Sequence, residues 1–214
     1  PLLLFNLKVA LEWDARQDPA FLNQLEFDLR RTAEILFDAS DGQATLGAIT
    51  IYHNKEHWDD ADVRIYASNA LIPNADPGGI VRSEQSETIN ATTPYVVTYQ
   101  PGHIRIGAVW NRFGEASGAL GEDWPRTLAH ELGHYAFYLY DNYLGLKGGT
   151  VVPVDTCQGT LMTDQYREDF SEFHSAEGWA TNCAQTISAQ RTGRADWQTI
   201  THFYPWLRAP GGQP

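Results

Sequence analysis

Apolar and polar side chains alternate along Phe5-Asn-Leu-Lys-Val-Ala-Leu-Glu-Trp13, a period of two that predicts a strand with one face on a core. Asp18-Pro19 then predicts a helix start, because Asp18 can cap free amides and Pro19 suits the first helical position. Leu22, Leu25, Leu29, Ala33 and Leu36 follow at spacings of three and four, which makes a long helix backing a sheet. Asp41-Gly42 marks a turn, and strand-like patterns return at Leu46 to Tyr52, Asp62 to Tyr66 and His103 to Trp110. Residues Asn69 to Pro101, rich in Pro, Gly, Asn, Ser and Thr, read as a long exposed loop with one strand candidate at Tyr95 to Tyr99. Gly114 to Gly121 is a small-residue connector to Asp123-Trp124-Pro125, where a second helix begins. Beyond it, Tyr143 to Val154 reads as loop, Ser171 to Gln190 as mostly helical, and Asp196 to Leu207 as a last short helix.

These elements predict an α+β fold in which a twisted mixed sheet carries a backing helix and a second helix, followed by a helical C-terminal part. No repeat or linker interrupts the pattern, so residues 1–214 are expected to form one domain, with an N-terminal subdomain over 1–135 and a C-terminal one over 136–214. The formal net charge of -12 speaks against nucleic acid or an anionic membrane as partner, since both require basic surfaces. No apolar run approaches the roughly 18 to 20 residues that span a bilayer, and Pro1-Leu-Leu-Leu-Phe5 is shorter than a signal peptide's apolar region. The two cysteines, Cys157 and Cys183, fit one disulfide of an exported protein, with two buried thiols as the alternative. Asn90-Ala91-Thr92 is a glycosylation sequon.

The second helix carries His130-Glu131-Leu132-Gly133-His134. Four residues apart on a helix, the two imidazoles share one face and can bind a single zinc ion, while Glu131 lies beside them as a general base for peptide hydrolysis. Leu128, Leu132, Tyr135 and Leu139 would give this helix its apolar face, with Ala129, Gly133 and Ala136 allowing close packing on the sheet. The third ligand is less evident. Asp141 lies seven residues after His134, roughly 10 Å along an unbroken helix, so a role for it requires the helix to end around Tyr138 to Tyr140. Glu177, in Ser175-Ala-Glu-Gly-Trp-Ala180, is the competing candidate, as in peptidases that take a glutamate from a later helix. His53, His57, His103, His174 and His202 read as surface or hydrogen-bonded histidines, and Asp59-Asp60-Asp62 as a solvated loop before a calcium site.

In its motif residues the chain resembles the metzincin-like metallopeptidase domain of the calcium-activated chloride channel regulators and their bacterial relatives. There, His-Glu-x-x-His is followed seven residues later by Asp and then commonly Glu-Tyr; here His134 leads to Asp141-Asn142-Tyr143. Leu36-Phe37-Asp38-Ala39, Ala61-Asp62-Val63 and Cys157-Gln-Gly-Thr-Leu-Met162 extend the similarity over most of the chain. The resemblance implies a zinc endopeptidase with His130, His134 and Asp141 as ligands, Glu131 as catalytic base and Met162, the only methionine, in a Met-turn beneath the metal. A Cys157–Cys183 bridge would tie that turn to a C-terminal helix and contribute about 3 kcal/mol in the chain-entropy model. The sequence departs from the pattern at Phe137-Tyr138-Leu139, where the family's usual glycine is missing. The expected partner is a peptide or protein substrate and the expected location secreted or cell-surface. A silent zincin-like binding module and a peptidase using Glu177 are the alternatives; oligomeric state is left open.

Overall fold

A computed structural model of the chain describes residues 2–89, 94–114 and 121–210 and, among them, nine strands and five α-helices. The Asn90-Ala91-Thr92 sequon and residues 115–120 of the connector lie outside the described residues. Strand β1 (Leu3–Leu11) buries Phe5, Leu7 and Val9 on alternate positions, as its period of two requires. Helix α1 (Pro19–Ala39) starts where expected: the Asp18 carboxylate accepts from the Phe21 amide at 3.0 Å, and Pro19 occupies the first turn. Its buried stripe is Leu25, Leu29, Thr32, Ile35, Leu36 and Ala39, with Leu22 and Ala33 only partly covered.

Next come β2 (Ala44–Tyr52), β3 (Val63–Tyr66), β4 (Asn74–Ala75), β5 (Gln85–Ile89), β6 (Tyr95–Tyr99) and β7 (Ile104–Gly107). The main sheet is twisted and mixed, in the order β2-β1-β3-β7-β4; β4 alone runs antiparallel, against β7. Helix α2 (Asp123–Tyr135) crosses over β7 and β4 and also touches α1, which lies over β2. Arg31 of α1 and Arg126 of α2 both bind Glu122 at the start of α2, and Thr32 donates to the Pro125 carbonyl at 3.3 Å. The chain closes with β8 (Leu144–Lys147), β9 (Thr150–Pro153), α3 (Trp179–Asn182), α4 (Ile187–Arg191) and α5 (Asp196–Phe203). One buried cluster takes in Phe5 and Leu25 at one end of the sequence and Phe173, Trp197 and Leu207 at the other.

Three expectations need correction. The 69–101 stretch is not mostly loop: β5 and β6 form an antiparallel hairpin, and β4 joins the main sheet. Tyr143 to Val154 is likewise a hairpin, β8 with β9, closed by Gly148 and Gly149, both at positive φ. Residues 171–190 hold only the short helices α3 and α4, because Gly178 at φ 69° and a disulfide break the run. None of the described helices is long and apolar enough to cross a membrane.

Candidate metal centre

All of α2 is buried, so contacts with the rest of the chain set its position. Two bonds fix its pose. At the start, Trp124 Nε1 donates to the Gly107 carbonyl at the end of β7 (2.9 Å). At the finish, the Tyr135 hydroxyl donates to Asp62 Oδ1 (2.6 Å), a carboxylate that also accepts from the Lys8 amide at 2.7 Å. Asp62 is therefore a fixed internal acceptor, while Asp60 pairs with Lys8 and His57, and Asp59 with Arg64.

The helix stops earlier than its sequence suggests, at Tyr135, and the chain turns off through Tyr138 at φ 63°. A left-handed residue is the usual way to leave a helix, and glycine its usual occupant. Here a tyrosine takes it, held by its ring: stacked on Phe203 at 3.6 Å and edge-on to Tyr99 at 4.9 Å. The Tyr138 amide still reaches the His134 carbonyl and the Leu139 amide the Gly133 carbonyl. This turn brings Asp141 back over the helix.

His130 Nε2, His134 Nε2 and Asp141 Oδ1 form a triangle with sides of 3.1, 3.1 and 3.2 Å. A tetrahedral ion bound at about 2.0 to 2.1 Å sets its ligands about 3.3 Å apart, so the triangle has the size of one face of such a site. The tautomers agree. His130 Nδ1 donates to the Leu161 carbonyl (2.9 Å) and His134 Nδ1 to the Leu139 carbonyl (2.7 Å), which leaves both Nε2 lone pairs aimed at the same point as the carboxylate. Three converging lone pairs repel one another unless a cation or a proton joins them. Burial works against a charged His134, but Asp141, at hydrogen-bond distance, and Glu131 carry its pKa up to about 9. Burial likewise pushes Asp141 upward, and the two imidazoles overcome it and hold the carboxyl well below its usual range. Two imidazoles and a carboxylate thus fit a divalent ion of zinc type.

Glu131 lies beside the triangle, 5% exposed, and its Oε2 has no hydrogen-bond partner among the described residues. Burial raises its pKa, the direction a general base at neutral pH needs. Below the helix, Met162 is fully buried, and a Cβ on Gly133 would sit 2.4 Å from its sulfur. Gly133 is therefore small for the sake of Met162, rather than for the sheet. Gly133→Ala is expected to destabilise the fold by about 1–3 kcal/mol through overpacking. A shifted denaturant midpoint at constant slope would record the loss, and an unchanged midpoint would refute the contact.

The turn at 160–163 is anchored from several sides. The Asn142 amide donates to the Met162 carbonyl (2.9 Å), and the Asn142 side chain, itself fully buried, donates to Asp196 at 3.0 Å and 3.1 Å. Asp196 in turn accepts from the His174 amide at 2.9 Å. Cys157 and Cys183 form a disulfide that ties the approach to this turn to the end of α3. His174 lies near their sulfurs, which are bonded to each other and so are not free to ligate. Glu177 is exposed and belongs to none of the close ligand groups among the described residues. His53, His57, His103 and His202 each have a hydrogen-bonding partner.

His130 and Glu131 sit where two hollows meet. One, about 330 Å³, is bounded by Trp110, Thr127, Thr163 and Tyr166; the other, about 190 Å³, by Ala75, Pro77, Tyr140 and Ile187. Pro73 and Tyr143 border both, and the short edge strand β4 runs along the smaller. Hollows of about 620 and 560 Å³ open beside α1, and neither is lined by His130, Glu131, His134, Asp141 or Met162. The sequence offered Asn142 and Tyr143 only as part of the motif that follows His134, and gave no sign of the Asn142–Asp196 pair or of Tyr143 lining both hollows. Nor did it show the two histidine acceptors, since backbone carbonyls leave no mark in residue identity. No family model matches the chain, and no curated protein matches it.

Proposed function

We propose that the chain is a zinc-dependent endopeptidase of metzincin-like type. The observation that carries this reading is the His130–His134–Asp141 triangle, with both imidazole tautomers fixed and the partnerless Glu131 carboxylate beside it. Zinc bound by these three residues supplies Lewis acidity to the scissile carbonyl and to the attacking water. Glu131 Oε2 takes a proton from that water as its oxygen bonds to the carbonyl carbon, and passes the proton to the amide nitrogen as the C–N bond breaks. The cleft suits an extended peptide: β4 offers a free strand edge beside it, and the two hollows lie on either side of Glu131. Met162 serves as the floor of the site, in the role of a Met-turn. The Cys157–Cys183 disulfide supports an extracellular or cell-surface setting.

Metal analysis of the purified chain, combined with cleavage of a mixed peptide library, tests the proposal. Stoichiometric zinc is expected, with turnover lost on chelation and restored by zinc. A chain that takes up no zinc would refute the site; one that takes up iron in preference would move it to the oxygenase chemistry that two histidines and a carboxylate also support.

A further inference from the structure

The two hollows differ in chemistry as well as in size. The larger has aromatic walls, with the rings of Trp110 and Tyr166 stacked at 6.0 Å and Tyr143 also lining it. Asp164 and Gln165 also line it. Asp164 is held in place by the Tyr166 amide, which donates to its Oδ1 at 3.0 Å. No ion pair involves Asp164 among the described residues. The nearby cations are engaged elsewhere: Arg167 with Asp169 at 2.8 Å, and Arg112, over the Tyr166 ring at 4.6 Å, with Asp123 at 3.2 Å.

We propose that this hollow selects a lysine or arginine side chain of the peptide, an inference that rests on the endopeptidase reading. The methylene stem of such a side chain packs on aromatic faces, while its charge meets Asp164 and the negative faces of the rings. An apolar side chain would strip water from Asp164 and return nothing. An acidic one would meet Asp164 and Glu131 inside a chain of net charge -12, which also steers cationic peptides toward it.

The experiment compares a library-derived peptide carrying lysine at the selected position with its glutamine counterpart. Wild type should prefer the lysine peptide in kcat/KM, and Asp164→Asn should lower that preference by about 10-fold, the scale of losing one close charge partner. Equal kcat/KM for the two peptides overturns the selectivity and leaves the peptidase standing. The same peptides are titrated by fluorescence anisotropy against zinc-loaded Glu131→Gln protein. If wild type cleaves nothing, the peptidase reading fails, and binding decides the hollow by itself. Tighter binding of the lysine peptide, lost in Glu131→Gln/Asp164→Asn, supports the assignment; equal binding overturns it.

Discussion

Glu131→Gln is expected to keep its zinc and lose about 10²- to 10⁴-fold in kcat, the range that positioned proton transfer contributes. The substitution is nearly isosteric and removes the carboxylate beside the triangle that the proposal has carrying a proton from water to the leaving nitrogen. Because Oε2 has no partner among the described residues, the amide breaks no bond there, and the fold should survive. Zinc content, circular dichroism and progress curves on one peptide measure the three parts of this expectation. Zinc retained with equal, negligible turnover in wild type and variant would instead point to a binding module on a zincin-like scaffold.

Asp141→Ala should weaken zinc binding by more than about 100-fold, beyond the 10- to 100-fold that follows from losing an outer-shell partner. It removes both a ligand and the negative charge that offsets the cation, and leaves two Nε2 atoms 3.1 Å apart with no third donor. Competition with a chromogenic chelator reads the affinity. Glu177→Ala, at an exposed position away from the triangle, should leave it unchanged. If Asp141→Ala binds zinc as tightly as wild type, the ligand assignment is wrong.

The parts of this molecule legible in the sequence are those where one residue's identity settles a local choice. Asp18-Pro19 fixed the start of α1, the stripe from Leu25 to Leu36 its buried face, and the two histidines their shared face of α2. The hairpins escaped notice because their pattern is weak. In β5 only Ile89 is buried, so Gln85-Ser-Glu-Thr shows no alternation to read, and β8 and β9 are four residues each. The end of α2 is set by tertiary contact, since nothing in Phe137-Tyr138-Leu139 forbids another helical turn; Phe203 and Tyr99, far away in sequence, do. The helical composition of 171–190 was overridden in the same way, by a bridge to Cys157. At the centre, the residues that converge, His130, His134 and Asp141, could be named in advance, whereas the carbonyls of Leu139 and Leu161 that orient the two imidazoles could not.

The left-handed tyrosine also sets an order of events during synthesis. Asp141 reaches the histidines only if the chain turns at Tyr138, and that turn is held by a ring from α5, more than sixty residues later. A ribosome-bound chain that has emerged through Asp141 therefore holds all three ligand residues but lacks the support that gathers them. At the proposed zinc site, metal capture is then expected only once α5 has docked, a safeguard against a competent site on an unfinished chain.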